Sequence, residues 1–379
     1  MADTVTATGL RAQQWDDKFF VQYIQEGPFK PLYGTDEASI IQLKENLSKG
    51  TGDSISIALV NRLTNQPTTG TNVLEGNEED LASRSMRIYI DKVRNAVRIA
   101  EMEEIKSAID LRDAARSTLM TWALEYTRDQ FITNLSWLNT VPFLSRTAAI
   151  ADEWLVDNAD RTVFGAYSAG GSAGGTDMSA DLAQLDTTND LFNATALDQM
   201  ILRAKLCNPK IRPVRDTKDG KRYYTVLANP NAFKNLRDSI DTEVLALTSV
   251  QAEGAKLFEG GDIFWNGAIV KEVDDIPVYP NIGSGGTAEV TPVYLLGAQA
   301  LAMVHGKRFK SMTKEFDYGD KFGVAIEAIM GIRKIQFGTG TGDTDDLKDN
   351  GVVTGFFATT GVSTANGVNA STGTAAELP

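Results

Sequence analysis

The segment Gly170-Gly171-Ser172-Ala173-Gly174 matches the G-x-S-x-G elbow that presents a nucleophilic serine. That chemistry needs a strand before the serine, a helix after it, and a histidine base oriented by an acid. The match lies inside a Gly/Ser/Ala-rich stretch, residues 165 to 181, where such spacing arises by chance and where a flexible linker or loop is expected. The sequence holds one histidine, His305, in an apolar run that reads as helical. A base buried there is not beside an exposed nucleophile. A serine hydrolase using Ser172 is therefore the remote alternative.

His305 is followed by Gly306-Lys307-Arg308, which shares a Gly-Lys pair with phosphate loops. The first glycine of that motif is missing, and Arg308 replaces the hydroxyl residue that would hold Mg²⁺. A helix end with basic residues complementing its dipole accounts for these residues better. Asp343, Asp345 and Asp346 offer oxygen ligands, but neither the spacing nor the terminal Glu of a calcium loop is present, so a solvated loop is expected. Cys207, the single cysteine, allows no internal disulfide and reads as a small buried hydrophobe. Sequons at Asn46, Asn134, Asn193 and Asn369 matter only in a secreted chain. No cofactor, no metal and no enzymatic activity are expected.

The 379 residues suggest two to three domains at about 150 residues each. Lys and Arg number 37 against 50 Asp and Glu, a net charge of −13, which argues against tight, sequence-independent binding to DNA. The 42% apolar content supports real cores. No uncharged run reaches the ~18 residues a bilayer span needs, and no basic-then-apolar start suggests a secretion signal, so no membrane partner is expected.

The elements that must position these residues read as a mixed α+β chain. The first 35 residues carry large apolar groups, among them Trp15, Phe19, Phe20 and Phe29, which lower the free energy only when buried. They form either a loop wrapped on their own domain or an arm on a neighbouring subunit. Asp36 is placed to N-cap a short helix with Ile40, Ile41, Leu43 and Leu47, stopped by Gly50. Residues 54 to 60 and 85 to 91 alternate apolar and polar side chains, the pattern of half-buried strands. The polar residues 61 to 84 between them exceed the ~12 to 15 residues usual for a structureless connection. They make either a long projecting hairpin or an inserted functional loop.

From about Val93 to Trp137 the period turns helical without a Gly or Pro, and a helix of thirty-odd residues there would be a strut of about 45–50 Å. Helices are also expected over 196–206, 232–247 and 293–304. Hairpins are expected through Asp219-Gly220 and Asn266-Gly267, and a strand over 323–332. Beyond Gly338 the sequence is a Gly-, Thr- and Asn-rich tail.

Two motifs carry a family resemblance. Lys49-Gly50-Thr51-Gly52-Asp53 enters the first alternating strand, and Leu74-Glu75-Gly76-Asn77-Glu78-Glu79 precedes the second. Both resemble the major capsid proteins of tailed bacteriophages in the family typified by coliphage N-four, which is similar in fold to the HK-ninety-seven capsid type.

The resemblance implies an α+β HK-ninety-seven-like fold, with an arm and short helix at 1–49 and an extended-loop hairpin at 50–92. A peripheral domain with a long spine helix would span 93–190 and an axial domain 191–320. A strand at 321–338 would return to the peripheral domain, followed by a tail at 339–379. It implies a shell subunit of pentamers and hexamers enclosing double-stranded DNA, held only weakly, in a virion assembled in the bacterial cytoplasm. Portal, scaffold or decoration proteins would be further partners. The implied inter-subunit residues are Gly50, Gly52, Asp53 and Leu74 to Glu79 in the hairpin, with Trp15, Phe19, Phe20 and Phe29 in the arm. An encapsulin-like nanocompartment of the same fold, holding cargo protein, is the alternative.

Overall fold

The computed structural model describes residues 29–45, 53–60, 63, 66–70, 72–73, 75, 78–79, 83–106, 111–166, 176–215, 222–240, 258–259, 262–338 and 347–359. Strands β1 (Tyr33–Gly34), β2 (Ile41–Lys44), β3 (Ser54–Val60), β4 (Ser83–Tyr89) and β5 (Asp91–Ala100) lead into helices α1 (Glu101–Lys106), α2 (Leu111–Leu135) and α3 (Ala148–Asp157). Next come β6 (Thr162–Phe164), α4 (Met178–Ala183), α5 (Ala194–Leu206), β7 (Val214–Arg215), β8 (Arg222–Ala228) and α6 (Pro230–Ser239). After these follow β9 (Phe258–Glu259), β10 (Asp262–Trp265), β11 (Ala268–Glu272) and β12 (Glu289–Leu296). The last strands are β13 (Leu301–Phe316), β14 (Lys321–Lys334), β15 (Gln336–Gly338), β16 (Leu347–Asp349) and β17 (Val352–Thr359).

Two sheets organise the chain. A five-stranded sheet runs β1-β2-β13-β14-β5, and an eight-stranded sheet runs β6-β17-β12-β8-β11-β10-β9, with β7 added beside β8. Helix α2 covers one face of the five-stranded sheet. Its Leu119, Ala123 and Phe131 share a core with Phe309, Val324, Ile326 and Ala328. That core continues into Leu227, Tyr294 and Val352 of the other sheet, so α2 spans the join. On the eight-stranded sheet, α5 and α6 bury Leu197, Met200 and Leu236 against Val226, Val293 and Phe357. Trp154, Leu155 and Leu182 pack with Phe356 and Val290 in a further core.

A fully buried polar cluster ties the end of β14 to the two-stranded β15–β16 sheet. Lys334 Nζ lies 2.7 Å from Asp349 Oδ2, with side chains 2% and 1% exposed. Gln336 Nε2 donates to the other carboxylate oxygen at 2.7 Å, and Lys334 also donates to the Trp137 carbonyl at 2.8 Å. The Asp349 N–H donates to Asn158 Oδ1 at 2.9 Å, and Arg161 donates to the Asp349 carbonyl. A buried pair is tolerated when its remaining hydrogen-bonding capacity is met, as it is here.

Several sequence expectations stand. The strands at 54–60 and 85–91, the helix at 196–206, and the strand at 323–332 are present as β3, β4, α5 and β14. The turn at Asn266 (φ 42°) and Gly267 (φ 81°) joins β10 to β11 with both residues left-handed, as its Asn-Gly pair requires.

Others are corrected. Residues 41–44 are a strand lying parallel between β1 and β13, with Ile40 and Ile41 buried in the core. The run from Val93 opens as β5; Val93, Val97 and Ile99 are β-branched and pair with β14, so α2 is 25 residues, about 37 Å. The helix expected over 293–304 is the end of β12 and the start of β13, broken at Gly297. A β-carbon on Gly297 would lie 2.6 Å from the Arg212 carbonyl oxygen. The helix over 232–247 is observed as Pro230–Ser239, with Asn229 capping it through the Asn231 N–H at 3.0 Å. The presumed tail contains β17, buried at every residue. β13 belongs with β14 in the five-stranded sheet, so residues 301–316 are not part of the sheet that holds β8 and β12.

Candidate assembly surface

The β3–β4 hairpin pairs antiparallel from Ser54–Tyr89 to Val60–Ser83. Its apolar residues share one face at every second position, so that face must be covered. The cover comes from this chain's own sheet: Met86 and Ile88 are buried against Ala302, Val304, Ile335 and Phe337, with Ile55 and Ile57 alongside. Two glycines of the sheet admit the crossing ribbon. A β-carbon on Gly331 would collide with the Tyr89 carbonyl oxygen, and one on Gly306 would meet Ile90 at 3.1 Å. Farther out, Val60, Leu63 and Val73 are exposed. Among the sequence candidates, Asp53 sits at the root, where its carbonyl accepts the Ile90 N–H at 3.0 Å and its Oδ1 accepts the Ser54 hydroxyl at 3.0 Å. Glu75, Glu78 and Glu79 lie in the connection outside any strand. Gly50, Gly52, Leu74, Gly76, Asn77, Trp15, Phe19 and Phe20 lie outside the described residues.

Phe29 packs within its own chain. It is 2% exposed and packs near Phe131 with ring centroids 5.2 Å apart, in this chain's own core. It anchors the start of the described chain to α2.

Sequence reading missed the open face of the five-stranded sheet, opposite α2. The register aligns Arg94, Glu327 and Lys310 in one row across β5, β14 and β13. The next rows are Ala96, Ala325 and Met312, then Arg98, Gly323 and Lys314. Glu327 is engaged by Lys307 and, at 3.0 Å, by Lys92, and these two cations hold its carboxyl below the usual range. The signal was available in Lys92-x-Arg94-x-x-x-Arg98, where cations recur at even spacing on one strand face.

The chemistry considered at the outset finds little support. His305 lies on β13, 3% exposed, and burial pushes its imidazole down to about 4. Lys307 and Arg308 follow at a bulge in that strand and not at a helix end. Ser172 and Asp343 to Asp346 lie outside the described residues. Among the described residues, no group of three or more His, Cys, Asp or Glu could hold a metal ion, and no helix is long and apolar enough to cross a membrane.

Comparison with known proteins gives the class. The model of a family described as phage capsid protein matches residues 4–355. The major capsid protein of Pseudomonas phage KPP25 is 26% identical over 360 residues, covering 88% of this chain and 92% of that one. In fold, the chain is similar to the capsid asymmetric unit of cyanophage Pam1, with TM-score 0.76 and 26% identity, covering 89% and 94% of the two chains. It is also similar to the capsid of Ralstonia phage GP4, with TM-score 0.70 and 23% identity, covering 89% and 92%. The chain belongs to the phage capsid protein family, a family of structural subunits. Its function is that of a major capsid protein, which associates with copies of itself in the virion shell.

Proposed function

We propose that the chain builds the icosahedral shell of a tailed phage, as pentamers and hexamers around double-stranded DNA, with the HK-ninety-seven-like fold of the N-four-typified family. In this reading residues 50–92 are the extended loop, α2 is the spine helix, and the eight-stranded sheet is the axial domain. The arm, residues 1–28 with Trp15, Phe19 and Phe20, straps one neighbour from its anchor at Phe29. The hairpin, from Gly50, Gly52 and Asp53 through Leu74 to Glu79, overlaps another. Shells repeat each contact many times, so individually modest interfaces hold collectively. Assembly takes place in the host cytoplasm with portal, scaffold or decoration proteins, and the acidic balance keeps packaged DNA loosely held.

The observation that carries this reading is the hairpin's division into a root buried on its own sheet and a far half with exposed Val60, Leu63 and Val73. Deleting residues 62 to 84 tests it. A soluble subunit that forms no shells by negative-stain microscopy is the expected result, and normal shells from that deletion refute the limb role. Nuclease-protected DNA inside wild-type particles supports the virion reading, and protein cargo without DNA supports the encapsulin-like alternative.

A further inference from the structure

Among the described residues the two large sheets end in short strands at every edge but one. β1, β7 and β9 have two residues each and β6 has three, and short edges resist further pairing. The exception is β5, ten residues from Asp91 to Ala100, which pairs with β14 along its whole length without a bulge and contains neither glycine nor proline. The Lys92 and Ala96 N–H groups donate to the side chains of Asp91 and Asn95 at 2.7 and 2.8 Å, so the even-numbered residues direct their main chain away from β14. Arg94 and Arg98 share that direction and are exposed.

The hairpin carries a second open edge. β4 lies along β15, where Arg84 donates to the Gly338 carbonyl and the Gln336 N–H meets Met86 Sδ at 3.2 Å, so β3 is the outer strand. The Ile90 N–H donates to the Asp53 carbonyl at 3.0 Å, which sets the odd-numbered residues of β3 toward β4. Ser54, Ser56, Ala58 and Val60 therefore present their N–H and C=O groups outward. Ser54-Ile55-Ser56-Ile57-Ala58-Leu59-Val60 has no charge, proline or glycine, the composition of a strand that pairs readily with another chain. Such an edge is an aggregation hazard in a free subunit, and a native partner removes the hazard.

We propose that β3 of one copy pairs with β5 of the next, adding the hairpin to the neighbour's five-stranded sheet; this rests on the limb role of the hairpin. Main-chain hydrogen bonds supply the contact, as in strand addition generally. The charges favour this pairing over a symmetric one. In the symmetric registers that use most of β5, Arg98 of one copy falls opposite Arg94 or Lys92 of the other, and like charges directly opposed are destabilising. β3 brings no charge to that edge. Pairing β3 with β3 closes two copies and leaves β5 bare, whereas pairing β3 with β5 uses both edges, is head-to-tail and propagates into rings. An extended segment of a different protein is the competing occupant, and the chain's association with copies of itself favours the second copy.

The test uses the full-length chain. Proline at an outward position removes a donor that the chain's own ladder does not use. Ser56→Pro with Ala58→Pro, and separately Ala96→Pro, should leave a subunit that is folded by its thermal melt. Each should lower shell yield by at least about tenfold, because a carbonyl of the partner strand is left unpaired. Ala58→Lys, a charge on the open edge, replaces the proline variants if they fail to fold. The pairing itself is read by cysteines. Subunits with Ser56→Cys or Ala58→Cys are assembled together with subunits carrying Arg94→Cys, Ala96→Cys or Arg98→Cys, then treated with oxidised glutathione. One combination should give covalent dimers, since a disulfide closes only between residues in matched register. Normal shells from the proline and lysine variants, or intact shells without any such cross-link, overturn the pairing. Cross-links of position 58 only to itself assign β3 to a symmetric contact and overturn it too. Shells that form with residues 62 to 84 deleted refute the limb role. Shells that need those residues but show no β3–β5 cross-link refute the pairing alone.

Discussion

The Tyr89 carbonyl oxygen lies directly over the α-carbon of Gly331, in the space a side chain would occupy. The last residue of the β4 strand is thereby pressed onto β14 near its C-terminal end, and the hairpin leaves the body of the subunit at a defined point and angle. Residue 331 must be glycine because backbone, and not a yielding side chain, fills the space where its β-carbon would be.

Gly331→Val should therefore lift the hairpin root off the sheet. Overpacking of this kind costs about 1–3 kcal/mol, and the loss falls on the small cluster of Met86, Ile88, Val304 and Phe337. Differential scanning calorimetry should show a modestly lowered Tm, while shell yield falls much further because every contact made through the hairpin is displaced. Undisturbed assembly would show that the root does not set the limb's direction.

Lys334 at the end of β14 and Asp349 on β16 form a fully buried pair. Lys334→Met leaves a carboxylate without its cation, and Asp349→Leu leaves the ammonium, so each single change should cost about 3–5 kcal/mol in urea unfolding. The double variant should cost clearly less than the sum. Strict additivity would mean that the two groups are stabilised by Gln336, Trp137 and Arg161 independently of each other.

What was legible in the sequence follows burial. β3 and β4 present one face to solvent, so they alternate, and alternation identifies a strand whatever surrounds it. β12 and β17 are buried on both faces, so Val290 to Leu296 and Val352 to Ala358 are apolar runs with no period, open to a helical reading or to loss in a Gly-rich context. Gly355 stays in the middle of β17 because a β-carbon there would lie 2.5 Å from the Phe357 ring. The hairpin was legible as a limb because its length has no local explanation. The cationic rows of the open face were not, since they join β5 to β13, some two hundred residues apart in the chain, and only pairing through β14 aligns them.

The turn joining β13 to β14 places Asp317 (φ 55°) and Tyr318 (φ 52°) in the left-handed region, with Tyr318 fully exposed. An L-residue with a side chain pays about 1 kcal/mol there, and glycine does not. Tyr318→Gly should raise the unfolding free energy of the isolated subunit by up to about 1 kcal/mol, read from denaturant midpoints. A destabilised variant would mean that the ring makes contacts worth more than the strain.

Acid should weaken the subunit in two separable windows. His305 is buried, and burial holds its pKa at about 4 against about 6.5 in the unfolded chain. Between those values the unfolded state binds a proton that the folded state excludes, so stability is complete above pH 6.5 and declines down to pH 4. A shift of this size corresponds to a loss of about 3 kcal/mol. Glu327 behaves as a depressed carboxylate: its pairing with Lys307 and Lys92 stabilises the fold above the unfolded carboxylate pKa and is lost as pH falls through the lower folded value. His305→Gln should flatten the stability curve between pH 6.5 and 4 and leave the more acidic limb, whereas Glu327→Gln should only reduce the slope of that limb, which Asp160, Asp177, Asp186 and Asp238 share. Because His305 is the single histidine of the chain, any slope that survives its replacement between pH 6.5 and about 5 would show that another group titrates there, and would remove His305 as the cause.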